Sequence, residues 1–260
     1  MLVLHGLEGS LESHYAGGML KCLATAGYTA GLLYFRGRSG TPNRLARSYH
    51  SGETGDLEYI VRHLQQQHGS APLSIIGFSL GGNVLLKWLG ESGENAGIQQ
   101  AISISVPFDL DAAARQLDCG LSRIYRNHLL RKLRQSVINK AKTHPAPWPP
   151  ERLRELRSFR EFDNAITAPL HGFTDVDDYY SRASCKQFLG AIGVPTLILQ
   201  ALDDPFLPAS ALPGPTDLAP SVTLELADHG GHVGFVDGSV PFKSRFWLEQ
   251  RILEQLQSPH

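Results

Sequence analysis

Apolar positions along this chain alternate between short unbroken runs and stretches with helical spacing. The runs at 1–4, 30–35, 73–76, 101–105, 194–200 and 222–226 are short, rich in Leu, Ile and Val, and bounded by Gly, Pro or polar residues. Each reads as a buried strand. Between them, Tyr15, Met19, Leu20 and Leu23 share one helical face that stops at Gly27. Leu57, Ile60, Val61 and Leu64 share another within 53–67, ending near Gly69, and a closing helix is expected over about 241–256. Strands alternating with helices of this length predict parallel βαβ units, hence an α/β fold with a mostly parallel, doubly wound sheet.

The rhythm breaks at Pro107 and resumes at Val194. The pattern therefore predicts a core made of 1–107 and 191–260, carrying a helical insertion over 108–190 as a lid above the carboxyl ends of the strands. The chain starts abruptly on its first apolar run, which reads as a strand cut at its beginning.

One stretch concentrates the chemistry. The run 73–76 leads into Gly77-Phe78-Ser79-Leu80-Gly81, a G-x-S-x-G spacing, and residues 83–89 follow at helical spacing with Gly90 as the expected cap. Strand, sharp turn and helix are the parts of a nucleophile elbow, in which small flanking residues let strand and helix approach closely. Among 26 glycines the bare spacing would arise by chance in roughly one such chain in five, so its context has to carry the weight.

A serine hydroxyl becomes a nucleophile when an imidazole takes its proton and a carboxylate holds that imidazole. On such a sheet the chain order is serine, acid, histidine. Of eleven histidines only His229, His232 and His260 follow the run at 194–200; His260 is the last residue, and the other two share a Gly-rich loop, either able to bend toward Ser79. The acid is expected in Asp203-Asp204-Pro205, with Asp204 preferred because the proline sets the turn after it and Asp203 left to bond loop backbone. Asp109 is a third option. The amide of Leu80 and that of Leu7, in the loop after the first run, are the candidate oxyanion donors. His5 is expected to order that loop.

Composition narrows the picture further. A chain of 260 residues with 42% hydrophobic positions can bury a large core, and a net charge of −1 gives no global reason to expect nucleic acid. Three unpatterned cysteines suit a reducing compartment, and no apolar stretch reaches the roughly 18 residues of a membrane span. With no charged leader before an apolar run, the expected location is cytoplasmic. No metal or organic cofactor is called for.

The stretches HGLEGS (5–10), YFRGRSGTPN (34–43), RSYHSGETGDL (47–57), GFSLGGNVLLKWLGE (77–91), FDNAITAPLHGF (162–173), ALDDPF (201–206) and GGHVGF (230–235) resemble the α/β-hydrolase family of bacterial YheT-type esterases, with the ABHD lipid-ester hydrolases and plant embryogenesis-associated proteins as eukaryotic relatives. The resemblance spans nearly the whole chain. Members of that family carry the first strands of the sheet ahead of the HGLEGS loop, so the resemblance implies that those strands are missing here and that an edge is left uncovered. It implies Ser79 as nucleophile, Asp204 as acid and, because Val-Gly-Phe follows it, His232 as base. The implied activity is hydrolysis of carboxylic esters, of short to medium chain or lipid. Acyl transfer or thioester cleavage on the same triad, and a binding protein with an inert triad, are the alternatives.

The insertion is basic. Residues 107–160 carry an excess of seven positive charges, so the rest of the chain carries an excess of eight negative ones. Leu121, Tyr125, Leu129, Leu133 and Val137 form an i+4 stripe among Arg123, Arg126, Arg131, Lys132 and Arg134. The stripe is expected to pack on the core beneath a solvated basic face, with weak contact to an anionic lipid surface or an acidic substrate as the alternative. Asp175, Asp177 and Asp178 read as helix-capping residues rather than a calcium loop.

Overall fold

In a computed structural model of the chain, which describes residues 1–69, 71–237 and 245–257, six parallel strands form one sheet. They are β1 (Leu2–Leu4), β2 (Gly31–Leu33), β3 (Ser74–Phe78), β4 (Gln100–Ile104), β5 (Thr196–Ala201) and β6 (Val222–Ala227), in the spatial order β2-β1-β3-β4-β5-β6. A short antiparallel pair, β7 (Val236–Asp237) and β8 (Arg245–Phe246), lies apart from it. The strand that opens the chain is interior to the sheet, paired with β2 on one side and β3 on the other. The edge on that flank is β2.

Helices cover both faces because each central strand buries both sides. On one face Ile75, Ala101 and Ile198 pack with Leu57 and Val61 of α2 (Gly55–His68) and Val84, Leu85 and Leu89 of α3 (Leu80–Ser92). On the other, Ile76, Phe78, Ile102, Leu197 and Leu199 pack with Met19 and Leu23 of α1 (His14–Thr25) and Leu248 and Ile252 of α9 (Trp247–Gln257). Even and odd strand positions thus feed different cores, as the two-residue period of a strand requires. The expected start of α9 at 241 and the terminal His260 lie outside the described residues.

Helix α3 corrects the sequence reading at both ends. It starts directly behind Ser79, at Leu80, and runs through Gly90 to Ser92, with Gly93 at φ 56° as its cap. Gly90 is glycine for another reason. A Cβ there would stand 2.3 Å from the Phe188 carbonyl oxygen, where the segment Lys186–Ala191 crosses the helix.

From 108 to 190 the chain forms helices and turns: α4 (Leu110–Leu117), α5 (Ser122–Ala141), α6 (Phe159–Phe162), α7 (Ala168–His171) and α8 (Val176–Ala183). A π-helical stretch, Asp163–Thr167, joins α6 to α7. These elements share their own apolar cluster, built on Leu110, Leu117, Leu130, Phe159, Phe162, Ile166 and Tyr180. The stripe on α5 packs only in part. Leu129, Leu133 and Val137 meet this cluster, whereas Leu121 is 82% and Tyr125 48% exposed. Residues spaced by four advance about 40° around a helix at each step, so five of them cannot face one core, and Leu130, off the stripe, fills the buried position. Asp175 caps α8 by accepting from the Asp178 amide at 2.9 Å, and Asp177 pairs with Arg160.

Alanine in an open helix interior is worth up to about 1 kcal/mol over glycine. Gly90→Ala should do the opposite and destabilise by about 1–3 kcal/mol, because the added methyl collides with backbone. Urea unfolding of the variant beside the wild type checks the sign.

Candidate active site

Ser79 sits where β3 ends and α3 begins, with φ 52° and ψ −117°. A side chain at this conformation is strained, and the neighbours over-determine it. The Ser79 amide donates to the Ile104 carbonyl at 2.8 Å, and the Ser79 carbonyl accepts from Asn83 at 3.0 Å. The close crossing of α3 over the sheet allows no side chain at position 81, since a Cβ on Gly81 would lie 2.7 Å from the carbonyl oxygens of both Leu4 and His5.

His232 reaches this serine from the loop after β6. Its Nε2 lies 2.9 Å from Ser79 Oγ, and its Nδ1 lies 3.1 and 3.0 Å from the two carboxylate oxygens of Asp204. A carboxylate only accepts, so Nδ1 carries the proton and donates it, leaving the Nε2 lone pair to accept from the serine hydroxyl. Asp204, in the loop after β5, is 5% exposed. It also accepts from the Phe206 amide at 2.8 Å and from Gln200 Nε2 at 3.0 Å. The Phe206 ring stacks on the imidazole with centroids 3.8 Å apart.

The competing residues have other partners. His229 is turned outward beside Asp203. Asp203 accepts from the amides of Gly230 and Gly231 at 2.9 and 2.8 Å, which holds its carboxyl below the usual range and folds the loop that delivers His232. Asp109 caps α4 through the Ala112 amide at 3.0 Å.

The loop after β1 lies against the elbow, with the backbone of Gly6 packed on the Ser79 side chain. Leu7 and Leu80 line the same cavity as Ser79 and His232, and neither amide meets an acceptor among the described residues. His5 organises this loop. Its Nε2 accepts from the Phe35 amide at 3.2 Å, so Nδ1 bears the hydrogen and donates to the Gly6 carbonyl at 2.7 Å. Full burial pushes its pKa down to about 4, so the ring is neutral. His50, partly buried, is also neutral: desolvation, with His171 as a neighbour at 4.6 Å between rings, pushes it down to about 3.

Several residues that shape the site escape sequence reasoning. Gln200 is inside β5, where it bridges the Val106 amide and Asp204. Ser105 accepts from Val233, next to the histidine, at 3.0 Å. Glu8, buried at φ 55°, follows Leu7 and accepts from Arg38, Tyr49 and Ser136 of α5, which ties the loop after β1 to the insertion. A glutamine in a buried strand and a glutamate beside glycines are the only signals they leave, and neither specifies a partner.

The serine opens into a cavity of about 450 Å³ beneath the insertion. Leu110, Leu129, Leu133, Val137, Phe159 and Phe162 supply apolar wall. Among the described residues no cluster of His, Cys, Asp or Glu could hold a metal ion.

A parallel sheet flanked by helices, with a serine on the turn after its third strand, is the architecture of the α/β hydrolases. The α/β-hydrolase-fold family model matches residues 1–239, and the chain belongs to that family. It is 42% identical over 258 residues to YheT of Escherichia coli (strain K12), provisionally named an esterase, covering 98% of this chain and 76% of that one. It is 32% identical over 248 residues to the human phospholipase ABHD3, covering 95% of this chain and 61% of that one, so it spans about three fifths of that relative's length. Among solved structures, the Pyrococcus furiosus esterase Pf2001 superposes with a TM-score of 0.61 at 17% identity over 98% of this chain and 81% of that one, a likeness of fold. The chain is an α/β hydrolase of the esterase and lipase type.

The neutral His5 makes stability depend on pH. The unfolded chain binds a proton at this residue below about pH 6.5, while the folded one resists until about 4. The stability His5 supplies is therefore complete above 6.5 and lost as pH falls toward 4, a change of roughly 3 kcal/mol. His5→Asn should be less stable than wild type at pH 7, and urea titrations should show the gap narrowing as pH drops to 4.

Proposed function

We propose that this chain is a serine hydrolase that cleaves carboxylic esters through an acyl-enzyme. The observation that carries the reading is the continuous relay from Asp204 through His232 to Ser79, ending at the floor of a largely apolar cavity. As Ser79 Oγ attacks the ester carbonyl, His232 Nε2 takes its proton, and Asp204 stabilises the imidazolium that forms. The amides of Leu7 and Leu80 receive the negative charge on the tetrahedral oxygen, aided by the N-terminus of α3. His232 then returns the proton to the leaving alcohol. Water, deprotonated by the same imidazole, releases the acid and restores the serine.

The apolar wall suits a short or medium acyl chain or a lipid ester, and residues 108–190 act as the lid that encloses it. Three free cysteines, Cys22, Cys119 and Cys185, support work in a reducing, cytoplasmic compartment. Among the described residues no helix is long and apolar enough to cross a membrane. Contact with a lipid surface would come from the start of α5. There Leu121 and Ile124 are 82% and 67% exposed beside Arg123 and Arg126, and Tyr125 packs on Phe206 at the catalytic loop. Apolar side chains ringed by arginine suit an anionic interface.

Wild type should label with a fluorescent fluorophosphonate and turn over p-nitrophenyl esters. Ser79→Ala should abolish labelling, and Ser79→Ala and His232→Ala should each lower kcat on the order of 10⁴-fold or more, with Asp204→Asn also severely impaired. A folded wild type that neither labels nor cleaves any ester overturns the reading, and product analysis with competing alcohols and thiols separates hydrolysis from acyl transfer. For the lid, flotation with vesicles should show binding to anionic but not neutral membranes. Leu121→Glu with Ile124→Glu should remove it; equal binding to both membranes, or by the double variant, would sink the surface contact.

A further inference from the structure

Strand β4 lies between β3, which leads into Ser79, and β5, which carries Gln200 and leads into Asp204. Three consecutive residues at its carboxyl end each hold a different member of the relay. The Ile104 carbonyl accepts from the Ser79 amide at 2.8 Å. Ser105 Oγ accepts from the amide of Val233, the residue directly after His232, at 3.0 Å. The Val106 amide donates to Gln200 Oε1 at 2.8 Å, and Gln200 Nε2 donates to Asp204 Oδ2 at 3.0 Å. Ser105, Val106 and Gln200 are all buried.

The backbone is strained on both sides of the Ser105 bond. Ser105 has φ 51° and Val233 φ 56°, left-handed conformations that are uncommon for serine and exceptional for a β-branched residue. Such conformations persist where the surrounding structure over-determines them, and they cluster at active sites. Gln200 is fixed in one orientation. The Val106 amide only donates and the Asp204 carboxylate only accepts, so the side-chain oxygen faces the first and the nitrogen the second. The Phe206 amide meets Oδ1 at 2.8 Å, which gives each carboxylate oxygen one donor besides His232. Val106 is itself wedged against α3, since a Cβ on Gly82 would lie 2.8 Å from its Cγ2.

We propose that Ser105 is a positioning residue for His232, and that together with Gln200 it makes the end of β4 a common anchor for all three members of the relay. Nucleophile, acid and base come from the ends of three different strands, and a misplacement of about 1 Å can cost on the order of a hundredfold in rate. Tying all three to consecutive residues makes their relative positions depend on one buried segment. Ser105 also lines the cavity, so an action through His232 has to be told apart from a contact with substrate. The inference rests on the ester-hydrolase reading, in which this relay does the chemistry.

Ser105→Gly and Ser105→Ala separate this role from a structural one. Both lose the hydroxyl, but glycine relieves the left-handed backbone while alanine keeps its strain, so the glycine variant should have the higher urea midpoint. With p-nitrophenyl butyrate the two should lose kcat alike, each by about tenfold, with KM near the wild-type value. Gln200→Met should lower kcat by a similar factor; if it fails to fold, the Ser105 pair decides. In a His232→Ala background each change should leave the residual rate as it is, because a residue acting through the imidazole has nothing left to position. Activity that follows the urea midpoint, a loss carried by KM, or equal costs with and without His232 overturns the inference and leaves the proposed function standing. A wild type that neither labels with the fluorophosphonate nor cleaves the ester overturns both.

Discussion

Everything at this site depends on one strained turn. Ser79 at φ 52° lifts its hydroxyl off the end of β3, and that conformation survives because the chain around it leaves no alternative. Its amide is held by β4, its carbonyl by Asn83, and Gly81 lets α3 come down almost onto the carbonyls of β1. A parallel sheet makes this possible, since it collects the carboxyl ends of all its strands at one edge. The loops after β1, β5 and β6 then bring Leu7, Asp204 and His232 to the same cavity as Ser79.

Support for these groups comes from polar residues buried in otherwise apolar surroundings. Gln200 and the Phe206 amide fix the buried carboxylate, while Asp203, exposed at the surface and outside that buried set, fixes the loop carrying the histidine. The neutral His5 holds the loop after β1 by donating on one side and accepting on the other. Each such group would be costly alone at its depth, and each has partners of the right kind. Satisfied networks of this sort rigidify the side chains they connect.

The 108–190 segment is physically continuous with that framework. Ser136 of α5 and Arg38 meet on Glu8, one residue beyond Leu7, while Lys140 bonds Asn43 in the loop after β2. Displacing α5 would therefore remove bonds from the loop after β1, which lines the cavity beside the serine. The same segment supplies much of the apolar wall of the cavity, so that wall and the loop after β1 are held by one structural element.

Much of this was legible in the residues. Two-residue and 3.6-residue periodicities are local, so strands, helices and the βαβ rhythm could be read directly, as could the Gly-x-Ser-x-Gly turn and the helical stretch from 108 to 190. Resemblance to the α/β hydrolases singled out His232 over His229, and three-dimensional proximity puts His232, not its neighbour, against Ser79. What pattern could not supply was any fact that depends on elements distant in sequence. Gly90 reads as a helix stop and is instead the crossing point of Phe188; the i+4 stripe on α5 reads as one face and turns out of the core. Glu8 acquires meaning only from partners far along the chain, and Gln200 from the loop and strand ends it bridges. Local spacing sets which elements form; which buried polar groups meet is decided when those elements pack, because a hydrogen bond depends on position in space and leaves no period in the sequence.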